Sequence, residues 1–308
     1  MNVKLENLEI NGYMIYQDKD SFNFGIDAVL LANFALREFG ARIVRPYEDT
    51  ASIRPYEDTA SIRPYEDTAS IHPHEGSQCI ESKEKAFGIP QIKICDFCTG
   101  ALPIPLIMYA KRNAFKGYSI KIDAFEIDEE QVALCNKSIA YNKENVIDAK
   151  NICDDIKVFN DDIKNIFLNK EKYKNLYESY DMITVNPPYN KKGSGIINLN
   201  DKKIVARHEV SITFDDICKA ARLILKSNKK FYLIHHSDRL SEIISTLKSN
   251  SFEVKKLQFI HQNISKPSTL VLIEAVKNAN SGLNVLSPII VFENDGNYTK
   301  NILNIYGK

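Results

Sequence analysis

Apolar positions along this chain fall into short strand-like runs that alternate with helix-like stretches. Val29, Leu30, Leu31, Phe34 and Leu36 supply the apolar surface of a helix predicted over 27–39, with Gly40 as its stop. Beyond residue 86 the spacing predicts strands over 92–96 and 120–126, a weak strand over 149–153, and a short buried strand over 182–185. Further strands are expected over 231–235, 254–261 and 269–276, the last two closing the pattern. Between them lie helices over 103–112, opened by prolines that fit a first turn, and over 129–142, with Glu129 and Glu130 in the first turn. Thr213, with Asp216 three residues on, caps a helix ending near Ser227, and another helix covers 238–248. Strand alternating with helix in this way predicts an α/β, doubly wound, mostly parallel sheet of seven strands with helices on both faces.

The interruption is equally plain. Residues 45–71 are three identical copies of Arg-Pro-Tyr-Glu-Asp-Thr-Ala-Ser-Ile, followed by His72-Pro73-His74-Glu75. Each unit carries one Pro, two acids and one Ile, too little apolar surface to offset the entropy of ordering it. Residues 44–85 therefore read as a flexible insertion between an N-terminal segment with its helix, 1–43, and a main domain, 86–308.

Composition narrows the class. No apolar run approaches the ~18 residues of a membrane span, and the N-terminus, Met1-Asn-Val-Lys-Leu-Glu, is too polar for a signal peptide. The expectation is a cytoplasmic protein without membrane association, so its six cysteines read as reduced thiols. Cys95 and Cys98 have no second pair to complete a zinc set, and no metal is expected. The formal net charge is zero but unevenly spread. Residues 1–185 hold 22 Lys/Arg against 30 Asp/Glu, and residues 186–308 hold 18 against 10. The second half, with Lys191-Lys192, Lys202-Lys203, Arg207, Lys229-Lys230 and Lys255-Lys256, is the one a phosphate backbone would prefer, although any single pair also fits a solvated surface.

Candidate chemistry gathers where strands end. Two prolines stop the strand over 182–185, so Asn186-Pro187-Pro188-Tyr189 leaves the carboxyl edge of the sheet, where open parallel sheets hold ligands. A rigid loop there, with an amide, exposed carbonyls and an aromatic ring, suits a flat substrate bearing an exocyclic amine. The strand over 92–96 runs into Asp96-Phe-Cys98-Thr-Gly100-Ala-Leu102-Pro103, a turn that lets backbone amides and a helix N-terminus approach a cofactor. Glu126 ends the next strand, where a carboxylate can accept from ribose hydroxyls, and Asp161-Asp162 follows. A nicotinamide dehydrogenase, the nearest alternative by fold, should show Gly-x-Gly-x-x-Gly, which is absent.

Those landmarks, in that order, resemble class I S-adenosylmethionine-dependent methyltransferases, and the tetrad resembles the acceptor motif of the amino methyltransferases. The segment from Gln17 through Phe24 and Asp27 to Phe34 is more specifically similar to the bacterial tRNA1(Val) adenine-N6 methyltransferase family. So are Ala206-Arg207-His208-Glu209, Ser237-Asp-Arg239-Leu, and the stretch from Ser265 to Ala275. The resemblance implies a Rossmann-like methyltransferase sheet with one antiparallel strand, S-adenosyl-L-methionine as cofactor, and the N6 amine of an adenine in tRNA as acceptor. It implies that Asp96 and Gly100 shape the methionine-side pocket, Glu126 holds the ribose and Asp162 the cofactor adenine. Phe24 and Asp27 would lie over the cofactor, while Asn186, Pro187 and Tyr189 hold the target base. Pro188, Lys191, Lys192 and Arg207 are the expected contacts to the rest of the RNA, and a monomer is expected. One departure stands out: of the family's Asp-x-Gly-x-Gly-x-Gly, only Gly100 remains, with Cys98 and Leu102 at the other glycine positions. Leu102 is expected to crowd the methionine moiety. Two alternatives stay open, a catalytically weak RNA-binding protein on the same fold and a protein glutamine-N5 methyltransferase.

Overall fold

The computed structural model describes residues 2–19, 25–37, 89–187 and 212–308. The chain divides into two units, Met1–Val44 with Ile89–Lys308, and Arg45–Gly88. Every described residue belongs to the first; the nine-residue repeats, Phe24, Pro188, Tyr189, Lys191, Lys192, Arg207 and His208 lie outside the described residues.

Two antiparallel strands, β1 (Val3–Asn7) and β2 (Met14–Asp18), open the chain, followed by α1 (Ile26–Leu36). Then come β3 (Gln91–Phe97), α2 (Pro103–Ala110), β4 (Ser119–Glu126), α3 (Glu129–Asn145), β5 (Ile156–Asn160) and β6 (Tyr180–Val185). The remainder is α4 (Phe214–Ile224), β7 (Leu225–His236), α5 (Leu240–Ser249), β8 (Phe252–His261), β9 (Ser268–Lys277), β10 (Asn284–Ile290) and α6 (Lys300–Tyr306). The main sheet has the order β10-β8-β9-β7-β6-β3-β4-β5, and β9 is the one strand antiparallel to its neighbours. Among the described residues the sheet thus has eight strands rather than the expected seven.

Period-two alternation sorts side chains to its two faces. Ile92, Ile94, Ile120, Ile122 and Ala124 pack with α1, α2, α3 and α6; Cys95, Phe97, Phe125, Phe231 and Leu233 pack with α4 and α5. Phe34 meets Tyr232 edge to face at 5.8 Å, which seats α1 over β7. Lys111 ties the far end of α1 to α6 by donating to Asn33 Oδ1 at 2.8 Å and to the Ile305 carbonyl. Burial brings its ammonium down to about 8.

Three expectations need correction. The weak strand over 149–153 is instead helical, with Ala149 and Ile152 turned into the core three residues apart, and the strand is β5. The helix capped by Thr213 does carry the capping box with Asp216, but it ends at Ile224 because Leu225 is already extended. The pattern does not close at β9. β10 adds to β8 in parallel, and α6 follows, capped by the Thr299 side chain at its start and by left-handed Gly307 at its end.

Candidate active site

Four neighbouring strands deliver the site to one edge. The parallel register aligns Phe97 with Phe125 and Val185, and Glu126 with Asn160. The carboxyl ends of β3, β4, β5 and β6 therefore bring the Asp96–Leu102 turn, Glu126, Asp161-Asp162 and Asn186-Pro187 to the same rim.

Asp96 lies opposite Thr184 in the ladder, and both are fully buried. Thr184 Oγ1 donates to its Oδ1 at 2.5 Å, and Thr99 Oγ1 donates to Oδ2 at 2.6 Å. Asp96 thus braces the turn from beneath. Burial is the main reason its carboxyl rises from 3.8 to about 7; the Glu126 charge adds to this, against the two threonine hydrogen bonds. A carboxyl raised on folding contributes stability that is fully present below its unfolded value and is lost as pH rises through 7. Asp96→Asn removes that dependence. Urea denaturation of both proteins should show the variant gaining about 2 kcal/mol on the parent between about pH 5 and about pH 8. A difference that stays flat across that interval would contradict the assignment.

Glu126 joins two loops. Its Oε2 accepts the Gly100 N–H at 2.8 Å and its Oε1 accepts the Asp128 N–H at 3.0 Å. The Gly100 carbonyl accepts from Cys135 Sγ at 3.0 Å, so Gly100 is held through both its backbone groups. The turn itself keeps the left-handed conformation at all three glycine positions of the family pattern, with φ of 55° at Cys98, 54° at Gly100 and 76° at Leu102. For the two residues with side chains this costs roughly 1–2 kcal/mol each. Leu102 does not crowd the cleft as expected: it is wholly buried in the core shared with α1 and α2. Beside Gly100 there is open space, since a Cβ placed there would meet no atom within 4 Å.

Asp162 accepts the Lys164 N–H at 2.9 Å and faces the Lys164 ammonium at 3.3 Å. Asp161 accepts from Lys172, Asn165 and Tyr173, and these bonds hold its carboxyl below the usual range although burial opposes them. Asn186 is half-buried, and its Nδ2 donates to Asp27 Oδ2 at 3.0 Å. Asp27, in the first turn of α1, also accepts the Ala28 N–H at 3.0 Å. Pro187 is buried. Thus Asp96, Gly100, Glu126, Asp162, Asp27, Asn186 and Pro187 converge on the carboxyl rim, and the other expected site residues lie outside the described residues.

Sequence reasoning missed Thr99, Thr184 and Cys135. A threonine three residues after Asp96, able to close a turn with its side chain, and a polar residue inside an otherwise apolar strand were the available signals for the first two. Cys135 carried none. His235 is the penultimate residue of β7, near this rim, with its Nδ1 accepting the His236 N–H at 2.8 Å; burial, aided by Arg239 and His236, brings its imidazole down to about 4. Several of the lysines that made the second half basic are turned to acids. Lys226 and Lys229 meet Asp181 at 2.8 and 3.4 Å at the opposite edge, and Lys230 and Lys256 meet Glu274 at 3.6 and 2.9 Å. Among the described residues no group of three His, Cys, Asp or Glu could hold a metal, and no helix is long and apolar enough to cross a membrane. Cys95, Cys98, Cys135, Cys153 and Cys218 are free thiols.

A sheet of this order, with its glycine turn after β3 and its acid at the end of β4, is the fold of the Rossmann-like methyltransferases, whose cofactor is S-adenosylmethionine. An Agrobacterium tumefaciens protein described as a predicted O-methyltransferase superposes with a TM-score of 0.55 at 17% identity, over 72% of this chain and 91% of its own. In sequence, the chain is similar to the tRNA1(Val) (adenine(37)-N6)-methyltransferase of Dyadobacter fermentans, 25% identical over 192 residues, or 62% of this chain and 70% of that protein. No family model matches.

Proposed function

We propose that this protein transfers a methyl group from S-adenosylmethionine to the N6 amine of an adenine in tRNA. The observation that carries the reading is the pairing of Phe97 with Val185, which sets Asn186-Pro187 directly beside the Asp96–Leu102 turn. The residues fit the cofactor: the space beside Gly100 is open, and the backbone keeps its left-handed form even where the glycines are replaced. Gly100 and the turn would hold the methionine side, Glu126 the ribose and Asp162 the adenine. Bound there, S-adenosylmethionine supplies an electrophilic methyl on a sulfonium.

The exocyclic amine is a weak nucleophile because its lone pair is shared with the purine ring. The Asn186 side-chain oxygen and the Pro187 carbonyl accept its two N–H groups. Both bonds strengthen as positive charge grows on nitrogen, and an interaction that strengthens on the way to the transition state lowers the barrier. The surplus proton leaves to water afterwards, so no base is needed at the start. Tyr189 stacks on the base, a contact worth roughly 1–3 kcal/mol. The name of the Dyadobacter relative supports adenine N6 as acceptor and tRNA as carrier.

Leu102 lying in the core removes one ground for the catalytically weak alternative. The test is to incubate the purified protein with radiolabelled S-adenosylmethionine and unmodified tRNA, then digest to nucleosides for mass spectrometry. N6-methyladenosine is expected. Label appearing in protein glutamine instead, or cofactor binding without any transfer, would overturn the reading.

A further inference from the structure

We infer that Asp27 is a positioning residue that fixes which end of the Asn186 amide meets the substrate; this rests on the reading above for what Asn186 does. The two residues are 159 apart in sequence, yet Asn186 Nδ2 donates to Asp27 Oδ2 at 3.0 Å. A carboxylate oxygen accepts here, so the amide turns its nitrogen toward it. The amide oxygen, the end that can accept from a target amine, then points away from Asp27. A terminal amide torsion is broad and roughly two-fold, and without that partner the reversed orientation would present donors to a group that itself donates.

Several features hold the carboxylate in place. Asp27 is buried, and its other oxygen accepts the Ala28 N–H at 3.0 Å in the first turn of α1. Helix α1 is seated on the sheet by Phe34 against Tyr232 and tied at its far end through Lys111. Gly25 contributes by its lack of a side chain: a Cβ there would come within 2.7 Å of Asp27 Oδ1. Its φ of −110° is open to any residue, so the requirement for glycine is one of space.

This gives two independent ways to disturb one carboxylate. Asp27→Ala removes it, and Gly25→Ala pushes it aside without straining the backbone. Each should lower kcat for tRNA methylation by about 100-fold, the loss expected when a reacting group is misplaced by about 1 Å, with KM for tRNA and Kd for S-adenosylmethionine little changed. Asp27→Asn, whose side-chain oxygen still accepts, should recover to within about tenfold of the parent. A readout independent of turnover is the Asn186 side-chain amide resonance in the labelled full-length protein, identified by its loss in Asn186→Ala. It should sit downfield in the parent and move upfield in Asp27→Ala. The inference is overturned if that resonance does not move, if kcat stays within about twofold of the parent, or if Kd for the cofactor rises while kcat is kept. The last result would make Asp27 a cofactor contact. Should the parent protein methylate no RNA, the proposed function falls, while the resonance still decides the role of Asp27.

Discussion

Replacing Asn186 by alanine should slow methyl transfer by about 10²–10³-fold, the usual penalty for deleting one group that stabilises developing charge. Affinity for S-adenosylmethionine should change by less than about threefold. The separation follows from position. Asn186 leaves the end of β6 and bonds Asp27, whereas the turn, Glu126 and Asp162 belong to β3, β4 and the segment after β5. Isothermal calorimetry and a single-turnover assay, run side by side, would check both halves. A variant that keeps most of its rate would remove Asn186 from the chemistry, and one that loses cofactor affinity in parallel would make it part of the cofactor pocket.

Glu126→Ala should have the opposite signature: S-adenosylmethionine binding weakened by about 100-fold, equivalent to one or two hydrogen bonds to a charged group. Part of the loss is direct under the proposed function, in which the carboxylate receives the ribose hydroxyls. The rest is indirect. Its two oxygens hold the Gly100 and Asp128 amides, and without them the turn loses one of its ties to α3, whose N-cap is Asp128, and keeps the Cys135 bond to the Gly100 carbonyl. The glutamine variant separates the two: it keeps one acceptor for the Gly100 amide, so it should bind more tightly than the alanine variant. Equal affinities for the two would mean that the bracing bonds contribute little.

Most of the fold was legible because buried strands and amphipathic helices carry strong periodicity. β3, β4, β6 and the helices between them stand where the pattern put them, within a few residues. The failures have particular causes. Ala149 and Ile152 fit a strand as readily as a helix, because a short apolar run does not distinguish the two periods. β10 was missed because Pro288 interrupts it, and proline argues against a strand unless the strand lies at an edge. The hairpin β1–β2 has strands of only five residues each and is braced by α3, where Asn142 bonds both the amide and the carbonyl of Met14. The site was legible as landmarks, not as connections. No pattern in the sequence pairs Asp27 with Asn186, or Asp96 with Thr184, because both links join segments far apart in the chain. Cys98 and Leu102 illustrate the converse. As departures from glycine they were expected to bear on the cofactor, yet both keep a positive φ, with Leu102 buried in one core and Cys98 packed partly buried against the other.

The outermost strands of the described sheet also matter for how the protein behaves in a crowded solution. An unpaired strand border invites a foreign segment to zip onto it. Here one border is β5, only five residues long and carrying Lys157. The other is β10, where Pro288 offers no amide hydrogen and the register shifts between Leu286 and Ile289. A neighbouring chain could extend neither border with a long unbroken run of backbone bonds, so the same proline that hid β10 from the sequence pattern is a guard against clumping.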